Sequence, residues 1–111
     1  MTEGSVMALT QLGTSMLKIN RLGLGCMGMS EFYGESDEQQ SIETLHNAID
    51  LGVNFFDTAD MYGSGANEEL IGKAFAGKWN QVVLATKFGI LRDGKGGMKG
   101  IDCSPAHIKA A

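Results

Sequence analysis

Asn54-Phe55-Phe56-Asp57-Thr58-Ala59-Asp60-Met61-Tyr62-Gly63 is the stretch that decides the fold. It opens on residues suited to a buried strand, then runs straight into an acid and, shortly after, a phenol. A second segment, Leu84-Ala85-Thr86-Lys87, passes in the same way from apolar strand residues to an amine. In β/α proteins the C-terminal ends of parallel strands carry the chemistry. An acid, a phenol and an amine gathered at such ends make a proton-transfer site. Asp57, Tyr62 and Lys87 are therefore the candidate site residues.

Working outward, helices and strands alternate around these segments. Ser36 reads as a helix cap, with Gln39 completing a capping box. Ile42, Leu45, Ala48 and Ile49 then follow a helical stripe, and Gly52 reads as its stop. Residues 53–56 read as a strand, 67–76 as a second helix and 82–86 as a further strand, with Asn67 and Glu68 organising the second helix's start. Ser104-Pro105 begins a third helix, serine as cap and proline in the first turn. Before them, residues 1–6 read as a loose tail, 7–20 as a small hairpin and 21–25 as a first short strand. This order means parallel β/α units. Three strands and two whole helices leave both sheet edges open, so residues 7–111 read as an incomplete domain, the first three units of something larger.

Composition narrows the class. The chain has 111 residues, 43% of them hydrophobic, and a net charge of −4, which argues against a nucleic-acid partner. Its start lacks the basic and apolar runs of a signal peptide, and no apolar stretch approaches the roughly 18 residues of a membrane span. Cys26 and Cys103 are too few for a disulfide scaffold and lack metal-ligand spacing, so no metal site is expected and a reduced, cytoplasmic setting is. The 16 glycines cluster between the periodic segments, as loop residues should.

The run from Gly52 to Gly63, then Asn67-Glu68-Glu69-Leu70-Ile71-Gly72-Lys73-Ala74 and Ala85-Thr86-Lys87, resembles the aldo-keto reductases. Leu22-Gly23-Leu24-Gly25-Cys26-Met27-Gly28-Met29-Ser30 is similar to the opening of the subgroup with plant auxin-induced-type and bacterial members. The resemblance implies the N-terminal part of a (β/α)8 TIM barrel, capped by the hairpin, that reduces aldehydes and ketones with NADP(H). It implies Tyr62 as proton donor, Lys87 as its cationic neighbour and Asp57 as the partner of that lysine. For the cofactor it leaves Gly25, Cys26 and Met27, with Asp57 near the nicotinamide end. Cys26 and Met27 stand open between loop packing and cofactor contact. The family's fourth site residue is a histidine at the end of the fourth barrel strand. Neither His46 nor His107 matches it, and the chain is expected to be a truncated one with little activity alone. The small carbonyl substrate is the one partner implied; nothing indicates an oligomeric state. The alternative is a non-catalytic binding or regulatory module built from the same barrel.

The physical logic runs beside the resemblance. Hydride addition to a carbonyl leaves negative charge on oxygen, which needs an acid aimed at it. A free phenol, with pKa about 10, is a weak acid at neutral pH. A neighbouring ammonium favours the phenolate, and a carboxylate keeps that ammonium charged. Two decoys fall away. Gly23-Leu24-Gly25-Cys26-Met27-Gly28 fits G-x-G-x-x-G, but Phe32-Tyr33-Gly34 intervenes before the helix, so a Rossmann phosphate site does not form. Residues 89–96 nearly fit a P-loop, but Gly96 stands where a hydroxyl must bind magnesium; this stretch reads as a flexible loop over the substrate mouth.

Overall fold

The computed structural model describes residues 8–30 and 37–111. The expected tail, Met7, the Ser36 cap and the Phe32-Tyr33-Gly34 insertion lie outside them. Strands β1 (Leu9–Gln11) and β2 (Lys18–Asn20) form the expected antiparallel hairpin. Strands β3 (Leu24–Gly25), β4 (Phe55–Asp57) and β5 (Val83–Ala85) form a parallel sheet in that order. Helix α1 (Glu38–Asp50) connects the first pair and α2 (Ala66–Ala74) the second.

Phe56 and Leu84 lie side by side in the β4–β5 register and share the helix-facing side of the sheet. Phe56 packs edge-on against Phe75 with ring centroids 4.8 Å apart, and Leu45, Ile71 and Ala74 close over them. A buried phenylalanine of this kind contributes about 1.5–3 kcal/mol. Phe55 and Asp57 point to the opposite face, so strand alternation itself sends the carboxylate away from the core. The strand thus includes Asp57, one residue beyond the expected end.

The cap of α1 is Asp37, whose Oδ1 accepts from Gln40 N at 3.0 Å, rather than the expected serine one position earlier. A carboxylate there also meets the positive end of the helix dipole. Gly52, at φ 99°, ends the helix in the left-handed conformation that glycine adopts without strain. The helices hold each other through the Lys73–Glu38 ion pair at 3.0 Å and through His46 Nε2, 2.6 Å from the Ala74 carbonyl. His46, expected on the surface, is half-buried and structural.

The first hairpin is fastened to the start of β4. Asn20 N donates to Asn54 Oδ1 at 2.8 Å, Asn54 N donates back to Asn20 Oδ1, and Asn54 Nδ2 reaches Lys18 O at 2.9 Å. That end of the sheet is opposite Asp57. A further correction concerns the glycine-rich stretch read as a flexible loop. It is a second hairpin, β6 (Ile90–Arg92) against β7 (Met98–Ile101). Asp93 builds its turn: Oδ1 accepts from Lys95 N at 2.7 Å and Gly97 N at 2.9 Å. Those backbone bonds hold the Asp93 carboxyl below its usual pKa. Helix α3 (Pro105–Ala110) follows, capped as expected by Ser104, which accepts from His107 N at 3.2 Å. Among the described residues no helix is long and apolar enough to cross a membrane.

Candidate active site

Asp57 and Lys87 meet because β4 and β5 stay paired past their ends. Asp57 stands opposite Ala85, and the backbone bonds continue through Thr58 N to Ala85 O at 2.9 Å and Asp60 N to Lys87 O at 3.0 Å. Lys87 Nζ then donates to Asp57 Oδ2 at 2.6 Å and to the Thr58 carbonyl at 2.7 Å. The same ammonium lies 5.3 Å from the centroid of the Tyr62 ring. The three residues singled out in the sequence therefore converge at the C-terminal end of the sheet.

Partial desolvation pulls the Lys87 pKa down. The hydrogen bond and charge of Asp57, joined by Tyr62, outweigh it, so the ammonium holds its proton above the ordinary lysine value. The pair is wet: the Lys87 and Asp57 side chains are 50% and 46% exposed. In that setting an ion pair adds little to stability, about 0–1 kcal/mol. Its consequence is chemical: a cation fixed beside a phenol.

Tyr62 is set by an unusual turn. Gly63, Ser64 and Gly65 follow it with φ of 61°, 53° and 97°, three left-handed residues in succession. For Ser64, which carries a Cβ, that conformation costs about 1–2 kcal/mol. A Cβ on Gly63 would stand 3.1 Å from both Ala66 Cβ and Ser30 Cβ. The phenol loop is thus pressed against the loop that leaves β3.

That loop divides the cofactor candidates. Cys26 is fully buried in the core, its N–H donates to Asp57 O at 3.0 Å, and its carbonyl accepts from Asn67 Nδ2 at 2.7 Å. Burial pushes its thiol up to about 11, against the pull of the Asp57 backbone bond. Its side chain packs in the core cluster with Leu45, Phe56 and Phe75. Gly25 pairs with Asp57 across β3–β4, and nothing lies within 4 Å of where its Cβ would be. Met27 is half-buried in a short 3-10 turn, Met27–Met29.

Asn67 has a larger part than the helix-start role expected of it. It is fully buried, accepts from Thr58 Oγ1, and donates to Cys26 O and, at 2.9 Å, to Ser30 Oγ. One amide therefore joins the β3 loop, the end of β4 and α2, while the Thr58 carbonyl holds Lys87. Nearby, Thr86 Oγ1 donates to Glu68 Oε2 at 2.6 Å. An open pocket of about 200 Å³ beside Lys87 is lined by Asp60, Glu68, Thr86, Phe88 and Ile108. A roomier one of about 240 Å³, walled by Met29, Ser30, Glu38, Ala66 and Leu70, is lined by none of Asp57, Tyr62 and Lys87. Among the described residues no three His, Cys, Asp or Glu side chains gather as metal ligands.

Comparison with known proteins identifies the family and the fold. The model of the Aldo/keto reductase family matches residues 21–110. An NADP(+) aldo-keto reductase of Schizosaccharomyces pombe is 42% identical over 81% of the chain, which spans 27% of that relative's length. The solved holo form of an aldo-keto reductase from Bacillus halodurans superposes with a TM-score of 0.81 and 40% identity, covering 94% of this chain and 33% of that one. A Klebsiella pneumoniae aldo-keto reductase solved with NADPH superposes with a TM-score of 0.55 and 36% identity, over 62% of this chain and 24% of that one. The structural relatives are (β/α)8 barrels, so the hairpin and three parallel strands are part of such a barrel.

Proposed function

The chain belongs to the aldo/keto reductase family, and from that premise we propose that the protein it represents reduces aldehydes and ketones to alcohols with NADPH. The observation that carries this reading is the 2.6 Å contact of Lys87 with Asp57 beside the Tyr62 ring.

The residues present fit the nicotinamide end of NADP(H). Gly25 leaves open space beside Asp57, and backbone without a Cβ admits close approach of a ligand. Gly25, Met27 and Asp57 would hold that end, with the Cys26 backbone shaping the loop rather than touching the ligand. When bound, the cofactor supplies hydride to the carbonyl carbon. The substrate oxygen, left with the electron pair of the former π bond, takes a proton from Tyr62 Oη. The Lys87 ammonium stabilises the phenolate that remains. Asp57 orients that ammonium and keeps it protonated.

Because Asp57 and Lys87 are about half exposed, water competes for the charges at the site, and charge stabilisation is strongest in a water-excluded one. We therefore propose little turnover by these 111 residues alone. The rest of the reading is a small carbonyl compound as substrate, one incomplete domain over residues 7–111, and a reduced, cytoplasmic setting in which Cys26 and Cys103 stay thiols.

Cofactor fluorescence titration tests this, using the chain itself and a version extended to full barrel length. NADPH binding and aldehyde reduction by the extended form, lost in Tyr62→Phe, support the reductase. Binding without turnover favours the regulatory module instead.

A further inference from the structure

We propose that Arg92 is a positioning residue for Tyr62, and that hairpin β6–β7 is a brace for the proton donor. The inference rests on the reductase reading for its catalytic meaning, though not for its geometry. Arg92 Nη1 donates to the Met61 carbonyl at 2.6 Å, while Nε and Nη2 donate to Gly97 O and Gly96 O, each at 3.2 Å. One planar fork thus spans the hairpin turn and the residue before Tyr62.

The peptide joining Met61 to Tyr62 is held at both edges. Its oxygen accepts from Arg92 and from Ser64 N at 3.0 Å, and its N–H donates to Ala59 O at 3.2 Å. A peptide unit is planar, so pinning both edges fixes its orientation and with it the start of the Tyr62 side chain. The bond from Arg92 is charge-assisted and so stronger than a neutral one. Arg92 is itself anchored in a stiff turn, since Asp93 N donates to Gly97 O at 3.1 Å and Asp93 Oδ1 accepts two further backbone bonds. Lysine at this position would carry the charge but, as a point donor, could not span carbonyls on both sides.

The test is fluorine NMR on the full chain. The chain has two tyrosines and one tryptophan, so in a Tyr33→Phe background fluorotyrosine reports on residue 62 alone and fluorotryptophan on Trp79. Arg92→Gln should move the residue 62 signal more than halfway to its urea-unfolded position and narrow it, leaving Trp79 in place. Arg92→Lys should give the same change in part. If Arg92→Gln also displaces the Trp79 signal, Arg92→Lys decides. A residue 62 signal that stays at the parent position in a folded variant overturns the proposal, as does a parent whose own signal already sits at the unfolded position. In a complete barrel carrying this segment, kcat should fall at least tenfold while KM for NADPH holds. Loss of turnover in the parent would sink the reductase reading and leave the fluorine result standing.

Discussion

Asn67→Ala is the substitution whose effect the structure specifies most closely. It removes a fully buried amide that three segments share. Thr58, also fully buried, loses the acceptor of its hydroxyl, and stranding such a donor costs about 1–3 kcal/mol. The Cys26 carbonyl keeps Met29 N at 3.1 Å, and half-buried Ser30 can turn to water, so these two bonds add about 1 kcal/mol together. The expected loss is about 2–4 kcal/mol, large for a single change. Urea unfolding followed by Trp79 fluorescence measures it. At a slope of about 2 kcal/mol per molar, the midpoint should fall by about 1–2 M with the slope unchanged. Thr58→Val removes the donor itself, so the double variant should be less destabilised than the sum of the singles by about 1 kcal/mol or more. A single variant within about 0.5 kcal/mol of the parent, or strictly additive singles, would refute the shared-hub reasoning.

Two other outcomes follow from the same geometry. Burial raises the Cys26 thiol to about 11 from 9.0, so the folded state holds this proton longer than the unfolded one. Stability from the thiol is fully present below pH 9 and is lost as pH rises toward 11, a decline of about 3 kcal/mol that Cys26→Ala should flatten in urea titrations across that range. Gly63→Ala places a Cβ in a left-handed turn and against Ala66 and Ser30; a stability loss of about 1–3 kcal/mol is expected by the same unfolding assay, and an unchanged midpoint would contradict the close packing.

Much of this was legible in the sequence because the signals were local. The apolar stripe of α1, the runs entering β4 and β5, and the Ser104-Pro105 start each reflect one element's own periodicity or capping. Asp57 and Lys87 were legible because parallel pairing carries strand-end residues to the same rim. What stayed hidden depends on partners far along the chain. Asn67 at a helix start looks like a turn residue, and only the fold brings Thr58, Cys26 and Ser30 around its amide. His46 likewise lies on a helix whose neighbour supplies the Ala74 carbonyl. Hairpin β6–β7 was obscured by glycines that dilute strand alternation. The Asp93-Gly94 dipeptide between Ile90-Leu91 and Met98-Lys99-Gly100-Ile101 was the turn signal that could have revealed it.

The most direct measurement compares NADPH-driven aldehyde reduction by parent and Tyr62→Phe in a complete barrel carrying this segment. If the phenol delivers the proton under the control of Lys87 and Asp57, turnover should drop by about 100-fold or more while NADPH affinity stays within about threefold. Turnover in Tyr62→Phe equal to that of the parent would contradict the account at its centre.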